Sequence, residues 1–506
     1  MFFDEMKKSL NNEFNESYTE NRALGYRTTG KNLLDLNYKV ASLRKANENE
    51  IAALFALAFF EDKLLALKWL FFASDIREGL GERRLFRIII KDMAFTNPEY
   101  ISHLIRYIPE YSRWDNLLEM LGTPLESKLT EIIKKQLAED RANVNEGKSI
   151  SLLAKWLPSV TASSKETVKK ARKLCALLDM PEKVYRRTLS IMRKHIDVVE
   201  VKMSAKKWDK IDYEKVPGRA NLLYKNAFLR NDEERRKQYL AKLEKGEAKI
   251  NAGVLYPHDI VHDYIIDEGQ RLRPAPYYNA VLESLWKNLP EVVSGGGNTI
   301  VVADGSGSMT MTIGKTKVTA LTVANSLAIY FAEKLSGDFK NRYITFSHNP
   351  QLVDFSNCRN LREKIALSFR YNEVANTNIE AVFDLILATA ARAKMKQGEI
   401  PQNVLILSDM EFDRATSGFG PANKKLFEII DSKYKIAGYK LPKLIFWNLN
   451  SRTGTLPVIE NDLGVALVSG FSVNIVKMVL SGEVDPYKCL VGQLTSERYD
   501  RIILPR

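Results

Sequence analysis

The decapeptide VVADGSGSMT occupies residues 301–310 of this 506-residue chain. The apolar run at residues 300–303 is typical of a strand buried on both faces, and the glycines that follow it allow a sharp turn. The turn carries a carboxylate, Asp304, and two hydroxyls, Ser306 and Ser308. Because ligands of open α/β sheets bind outside the carboxyl ends of the strands, the stretch predicts both a sheet strand and a ligand site.

The spacing D-x-S-x-S before a helix resembles the metal-ion-dependent adhesion site of the von Willebrand factor A (vWA) family. That family adds a Thr on a loop before a helix and an Asp at the end of a later buried strand. Thr377, in NTNIEAVFDLIL, and Asp409, in NVLILSDMEFD, hold those places here. The resemblance therefore implies a divalent-metal site of Asp304, Ser306, Ser308, Thr377 and Asp409. The alternative is that DGSGS is an ordinary flexible turn.

In such a site the hydroxyls of Ser306, Ser308 and Thr377 would touch the metal, while Asp304 and Asp409 would hold waters. The cation then keeps unneutralised charge and attracts a carboxylate from a protein partner. Oxygen ligands favour Mg²⁺, with Mn²⁺ or Ca²⁺ as alternatives.

Two further acids, Glu411 and Asp413, lie near Asp409 in sequence. Neither is committed to the role of general base, so we predict that the chain is not an enzyme. A Mg²⁺-dependent nuclease is the less favoured alternative.

The length exceeds what one hydrophobic core serves, so we expect two or more domains. Residues 1–290 show apolar positions at helical spacing with short polar connections, which predicts an all-α helical-repeat (HEAT-like) module. The first 50 residues of it are expected to form a partly ordered arm. Residues 291–506 alternate strands and helices, with a hairpin through residues 347–350, and predict a mainly parallel, doubly wound α/β (Rossmann-like) domain. The same order of elements resembles that of vWA domains.

The basic charge is concentrated in one segment. Residues 151–250 hold 25 Lys and Arg against 13 Asp and Glu, an excess of 12 within a net charge of +13 for the whole chain. Such a surface attracts polyphosphate, and the alternative is a set of solvated helix faces that serve solubility. Three aromatic residues lie among these cations: Trp156, Tyr185 and Trp208. They are candidates for base stacking, although aromatic rings at helical spacing more often belong to the core.

An all-helical repeat module followed by a vWA domain resembles the Ro autoantigen, or TROVE, family, whose repeats close into a ring. WLPS at 156–159, KINAGVLYPHDIV at 249–261 and ADGSGSM at 303–309 resemble more closely a family of phage, bacterial and plant proteins with the same domain pairing. Ro proteins bind structured RNAs and single-stranded RNA ends.

The Ro resemblance implies RNA binding centred on the basic segment. The candidate RNA-binding residues are Lys155, Lys169, Lys170, Arg172, Arg186, Arg187, Lys206, Lys207 and Arg219. The alternative is a protein-binding adaptor that uses the metal site alone.

Three widely spaced cysteines indicate neither a disulfide framework nor a zinc site, and they suit a reducing cytoplasm. The first residues lack the pattern of a signal peptide, and no apolar run is long enough to span a bilayer. We therefore expect a cytoplasmic protein, without a membrane segment and monomeric. His258 and His262 share a helical face at zinc-binding spacing, but packing is the favoured reading because no third ligand is evident.

Overall fold

The computed structural model describes residues 15–18, 24–269, 272–291, 298–314, 316–346, 349–372, 379–410, 430–452, 465–470, 472 and 485–505. Two compact units divide the chain. The sheet unit comprises residues 1–66 and 252–497, and the helical unit comprises residues 67–251 and 498–506. Each unit is thus assembled from two separate stretches of sequence.

Ten strands lie in the described residues. They are β1 (Glu16–Tyr18), β2 (Leu24–Tyr26), β3 (Ile265–Asp267), β4 (Leu272–Pro274), β5 (Thr299–Asp304), β6 (Arg342–Phe346), β7 (Leu352–Asp354), β8 (Asn403–Ser408), β9 (Lys443–Asn448) and β10 (Val465–Ser469). The last six form one sheet in the order β10-β9-β8-β5-β6-β7, in which only β6 and β7 pair antiparallel. β1 pairs with β2, and β3 pairs with β4, as small antiparallel ribbons.

The helices follow the same chain order. They are α1 (Asn32–Tyr38), α2 (Val40–Leu43), α3 (Glu48–Glu61), α4 (Lys63–Ser74), α5 (Arg83–Thr96), α6 (Pro98–Ile101), α7 (Ile108–Tyr111), α8 (Trp114–Leu117), α9 (Glu126–Asn145), α10 (Leu153–Trp156), α11 (Lys165–Leu178), α12 (Glu182–His195), α13 (Val199–Ser204), α14 (Gly218–Leu223), α15 (Lys225–Asn231), α16 (Glu233–Lys245), α17 (Pro257–His262), α18 (Ala280–Lys287), α19 (Ala320–Lys334), α20 (Leu361–Arg370), α21 (Ile379–Arg392) and α22 (Pro486–Leu494). α1–α3 and α17–α22 belong to the sheet unit, α5–α16 belong to the helical unit, and the boundary between units falls within α4.

Side-chain oxygens begin several of these helices. Asn47 accepts a hydrogen bond from the backbone N–H of Glu50 at the start of α3. Thr319 does the same for α19, and Ser164 does so for α11. Each cap satisfies an N–H that the first helical turn leaves without a partner.

The central strands are buried on both faces, as the apolar run in β5 predicts. Val302 and Ile406 belong to a core cluster that includes Phe383 of α21. On the other face, the ring of Trp447 in β9 lies 5.6 Å from that of Phe331 in α19. Helices therefore cover the two faces of the sheet, which is the arrangement of an α/β unit.

The start of the described chain packs against the sheet unit. The side chain of Asn448 donates a hydrogen bond to the carbonyl of Tyr38, and Ser469 accepts one from the N–H of Ala41. Leu33 and Leu36 are fully buried. The prediction of a partly ordered arm is therefore wrong for α1 and α2, whose apolar side chains belong to the core.

The unit boundaries differ from the predicted division between residues 290 and 291. α17 contacts α19, and residues 252–290 accordingly belong to the sheet unit. The segment is helical, as predicted, but helicity alone does not determine which core a helix joins.

In the helical unit, α11 and α12 are amphipathic. Leu174 and Leu178 of α11, with Tyr185 and Leu189 of α12, are buried. The Arg193 guanidinium donates to the carbonyls of Ala154 and Leu157 and to the hydroxyl of Ser159, each at 2.8 Å. Arg193 thus fixes α12 against α10 and the loop that follows it.

Residues 498–505 complete the helical unit. The Arg498 guanidinium donates to the buried carboxylate of Asp75 at 2.8 Å. The phenol of Tyr499 donates to the same carboxylate, and its ring stacks on that of Tyr111 at 5.6 Å. The final residues of the chain are therefore part of this unit's core.

The predicted strands of the larger sheet all correspond to observed strands, and the hairpin around residues 347–350 is confirmed by the antiparallel pairing of β6 with β7. Within the predicted alternation of strands and helices, residues 411–429 and 473–484 lie outside the described residues. Searching the described helices for one with the length and apolarity to cross a bilayer finds none.

Candidate functional site

The candidate site lies at the carboxyl ends of β5 and β8. These strands are parallel neighbours, and Ala303 pairs with Leu407 in their register. Asp304 ends β5, and Asp409 follows β8 directly. After β5 the chain builds β6 and β7 on one side and then β8 to β10 on the other. Such a reversal of strand order opens a crevice at the carboxyl edge, where α/β sheets bind ligands.

Hydrogen bonds fix both carboxylate oxygens of Asp304, a residue only 2% exposed. The backbone N–H of Ser306 donates to Oδ1 at 2.9 Å, which folds the loop back over the strand end. The hydroxyl of Ser408 donates to Oδ2 at 2.6 Å from the neighbouring strand. The carboxylate is therefore held in one orientation before any ligand arrives.

The charge at this position is poorly compensated. Burial raises the pKa of Asp304 from 3.8 to about 7, and the negative charge of Asp409 acts in the same direction. The hydrogen bonds from Ser408 and Ser306 lower the pKa but do not offset burial. Two buried acids that disfavour each other's ionisation form a site that a cation would stabilise.

The two serine hydroxyls are spaced as neighbouring ligands of a small cation. Ser306 Oγ lies 3.0 Å from Ser308 Oγ, so the two hydroxyls can also share a hydrogen bond. Mg²⁺ binds oxygen at about 2.0–2.1 Å in an octahedron, which places adjacent ligand oxygens roughly 2.8–3.0 Å apart. The donor set thus fits a hard divalent cation in both chemistry and spacing.

The described residues bring together part of the predicted metal set. Asp304 and Ser306 are hydrogen-bonded, Ser308 contacts Ser306, and Asp409 acts electrostatically on Asp304. Thr377 lies outside the described residues, as do Glu411 and Asp413. The five-ligand site accordingly stays a prediction.

Two residues near the site were not identified from the sequence. Ser408 lies opposite the end of β5. The sequence feature that could have identified it is a polar residue at the end of a buried strand, beside a second buried strand that also ends in a polar residue. Arg452, four residues after β9, places a guanidinium nitrogen 3.7 Å from Oδ2 of Asp409. Nothing in the local sequence around Arg452 indicated this contact.

Clusters of three His, Cys, Asp or Glu that suit a metal ion are not found in the part of the chain that the structure describes. The predicted set has two carboxylates and three hydroxyls, so it is not a cluster of that type. His258 is buried and its ring stacks on that of Tyr256 at 5.5 Å. This stacking agrees with the packing role favoured for His258 from the sequence.

A basic face runs along α12 in the helical unit. Lys183, Arg187 and Lys194 lie four and seven residues apart, opposite the buried Tyr185 and Leu189. Their spacing places them on one side of the helix, and Arg186 flanks them. All four cations are exposed, and none forms an ion pair with a described residue. We call these four residues the α12 basic face.

The candidate RNA-binding residues fall into different surroundings. Lys169, Arg186, Arg187, Lys206, Lys207 and Arg219 are exposed. Lys170 pairs with Glu166, and Arg172 pairs with Glu182. Lys155 is half-buried and lies over the ring of Trp156.

The three aromatic candidates for base stacking also differ. Tyr185 is a core residue whose phenol donates to the carbonyl of Pro158. Trp208 packs against an apolar cluster of the helical unit. Trp156 is half-buried, and its ring lies 4.0 Å from the guanidinium of Arg113. The base-stacking hypothesis is therefore wrong for Tyr185, because its ring fills the core.

Comparison with known proteins identifies relatives of both parts of the chain. Residues 125–298 match a family described as "Domain of unknown function (DUF2828)", and residues 298–497 match "Domain of unknown function (DUF7788)". The chain is 31% identical over 513 residues to "Uncharacterized protein L728" of Acanthamoeba polyphaga mimivirus, an alignment that covers 93% of this chain and 85% of the relative.

Among solved structures, the Ro (RSR) protein of Deinococcus radiodurans is similar at 12% identity with a TM-score of 0.39, covering 88% of this chain and 99% of that one. A similarity of that size is too low to assign a shared fold or function.

Proposed function

This chain belongs to the same protein family as uncharacterized protein L728 of Acanthamoeba polyphaga mimivirus, and from the two sites described above we propose that it is a non-catalytic, RNA-binding scaffold. The sheet unit would hold a divalent metal that docks an acidic group of a partner, as in a vWA domain. The helical unit would bind RNA through the α12 basic face.

One observation carries the metal proposal. Asp304 and Asp409 are both buried at the ends of adjacent parallel strands, and burial together with the smaller effect of the Asp409 charge raises the pKa of Asp304. A Mg²⁺ ion held by Ser306 and Ser308, with Thr377 as a further ligand, would offset the two negative charges. Bound there, the ion supplies an electrophilic docking point for a carboxylate.

Docking suits the ligand set better than catalysis. The hydroxyls are neutral, so they leave charge on the cation that a partner's carboxylate can neutralise. Ser408 and the loop N–H hold Asp304 in place, so the serine hydroxyls are the groups that would contact the metal. The proposal also includes Thr377 as a metal ligand, Mg²⁺ rather than Mn²⁺ or Ca²⁺ as the ion, and a carboxylate as the docked group.

Titration of the full chain with Mn²⁺, followed by the electron paramagnetic resonance signal of the free ion, tests the metal site. Asp304→Ala and the double change of Ser306 and Ser308 to Ala should each weaken binding about a hundredfold. Asp354→Ala is the matched control, because Asp354 pairs with Arg342 on the strand pair β6–β7. Wild-type Mn²⁺ affinity in Asp304→Ala would refute the site.

The RNA proposal rests on unpaired charge. The α12 basic face lies in the segment that holds nearly all of the chain's positive excess, and its cations form no ion pair with any acidic residue that the structure describes. Neutralising phosphates with such residues releases counterions, so the RNA affinity should fall steeply with salt.

A mobility-shift assay with structured RNA at two salt concentrations tests this part. Changing Lys183, Arg187 and Lys194 together to Gln should lower the affinity and reduce its salt dependence. The matched control changes Lys210, Lys215 and Lys237, which also removes three charges but takes them from residues paired with Asp209, Asp212 and Glu233. Equal losses in both triple variants would indicate general charge rather than a site.

The other two hypotheses predict different outcomes in the same assay. If wild-type protein binds no RNA at low salt, the chain is an adaptor that uses the metal site alone. If Mg²⁺ produces RNA cleavage that Asp409→Ala removes, the chain is a nuclease.

A further inference from the structure

Arg452 is the residue near the metal site that the proposed function does not use. Its guanidinium Nη2 lies 3.7 Å from Oδ2 of Asp409, which is 2% exposed, while the Arg452 side chain itself is 26% exposed. Arg452 therefore reaches a buried carboxylate while part of its side chain is exposed to solvent. A separation of 3.7 Å is a charge contact and too long for a strong hydrogen bond.

The charges of the named groups at the site determine how Arg452 affects metal and anion binding. Asp304 and Asp409 contribute two negative charges, and Arg452 contributes one positive charge. A divalent ion added to the carboxylates alone would leave the site neutral. Among the described residues counted here, the two carboxylates, the Arg452 guanidinium and the divalent ion sum to one net positive charge, because a guanidinium stays protonated in proteins.

We propose that Arg452 makes the metal-loaded site an anion receptor, and that the same charge weakens binding of the metal alone. This inference rests on the proposed metal site and specifies that the loaded site selects anions. Arg452 repels the incoming cation across a buried region, where charges are poorly screened. Once the ion is bound, the two positive groups together attract a carboxylate, one oxygen of which can contact the metal and the other the guanidinium.

The proposal therefore assigns Arg452 opposite effects on two affinities. Removing its charge should strengthen metal binding and weaken anion binding to the loaded site. A residue that merely supports the fold would weaken both. This difference in sign separates recognition from a structural role.

The experiment uses the full chain with Mn²⁺ as the metal and acetate as the carboxylate probe. Mn²⁺ affinity is measured by electron paramagnetic resonance, and acetate binding by the paramagnetic broadening of ¹³C-acetate resonances. Arg452→Gln should bind Mn²⁺ about tenfold more tightly and should broaden acetate less than the wild type at equal Mn²⁺ occupancy. Arg452→Lys keeps the charge and should restore both values toward wild type. Arg342→Gln, at the amino end of β6, should change neither.

Mn²⁺ affinity that is unchanged or weaker in Arg452→Gln would overturn the proposal, as would undiminished acetate broadening. In those cases wild-type Mn²⁺ binding still supports the metal site. Failure of both wild type and Arg452→Gln to bind Mn²⁺ would instead overturn the metal site, and this inference with it.

Discussion

Ser408 and Asp304 are joined by a hydrogen bond of 2.6 Å, although 104 residues separate them in sequence. The two residues end neighbouring parallel strands, so sheet register alone brings them together. The bond crosses from one strand to the other at the point where the predicted metal ligands begin. It ties the orientation of a proposed ligand to the packing of the sheet.

Ser408→Ala should weaken Mn²⁺ binding at pH 7 about tenfold. The hydroxyl favours the ionised form of Asp304 and fixes its Oδ2, so its loss makes the carboxylate harder to ionise and less well oriented. The variant should also lose about 1–3 kcal/mol of unfolding free energy, because a buried carboxylate oxygen loses its donor.

Metal titration and urea unfolding of the purified variant measure the two effects. Ser326→Ala is the matched control, since Ser326 is also buried in the sheet unit but donates to the carbonyl of Val323 in its own helix. A Ser408→Ala protein with wild-type Mn²⁺ affinity would show that the bond serves only the fold.

The metal-free protein should become less stable as the pH rises from about 4 to about 7. Burial and Asp409 raise the folded-state pKa of Asp304 to about 7 from 3.8. The folded chain therefore holds this proton more tightly than the unfolded chain does across that window, and the free energy of unfolding falls as the proton leaves. Urea unfolding in EDTA at several pH values measures the slope.

The metal affinity should depend on pH in the opposite direction from the stability of the metal-free protein. Ionised Asp304 is the form that favours a cation, so the Mn²⁺ affinity should rise with pH up to about 7 and level off above it. Asp304→Asn cannot ionise and should flatten the stability profile between pH 4 and 7. A profile in that variant as steep as in the wild type would assign the titration to another group.

Arg498→Ala should destabilise the helical unit by about 3–5 kcal/mol. The change leaves Asp75, a fully buried carboxylate, without its ion-pair partner. Arg501→Ala is the control in the same segment, because Arg501 is 63% exposed where it pairs with Glu110. That change should cost less than about 1 kcal/mol. Urea unfolding monitored by far-ultraviolet circular dichroism compares them, and equal costs would contradict the buried pair's importance.

Arg236→Met should leave stability unchanged within about 1 kcal/mol or increase it. Arg236 is fully buried, and within the described residues its three guanidinium nitrogens have no hydrogen-bond acceptor. The rings of Tyr213, Phe228 and Tyr239 lie 4.7–5.2 Å from the guanidinium carbon. Each of these cation–π contacts stabilises the buried guanidinium by about 0.5–2 kcal/mol, whereas removing the guanidinium from water costs several kcal/mol.

Arg235, the neighbour of Arg236 in sequence, should respond differently to the same substitution. Arg235 donates to the carbonyls of Trp208 and Ile211 and to the carboxylate of Asp232, so Arg235→Met should lose about 1 kcal/mol or more. Thermal unfolding of both variants measures the difference. A loss above about 3 kcal/mol in Arg236→Met would show that the buried guanidinium has partners, such as ordered water, beyond the protein's own groups.

Local sequence patterns predicted the strands of the sheet well. The run before Asp304 and the run before Asp409 are short, β-branched and apolar, and such segments form buried strands in most settings. The hydroxyls of Ser306 and Ser308 were identified for the same reason, since their spacing is local. Helix α20 was missed because the pattern over residues 361–370 is charged and weakly apolar.

Contacts between distant residues were not predictable in this way. Ser408 acquires its role from the register of two strands, and Arg452, four residues after β9, acquires its role from its contact with Asp409 at the end of the neighbouring strand β8. The pairing of Arg498 with Asp75 spans 423 positions, and no periodicity encodes it. The boundary predicted at residue 290 differs for the same reason, because helical spacing does not specify which core a helix enters.

The chain passes between the sheet and helical units at residues 66–67, 251–252 and 497–498. No single cut can release either unit whole, so a fragment that stops near residue 290 would contain neither. During synthesis, the helical unit must also wait for residues 498–505 before Asp75 meets Arg498. The long sheet-forming stretch, residues 252–497, is made in that interval, so Asp75 has no Arg498 to pair with until the chain has grown beyond the sheet unit.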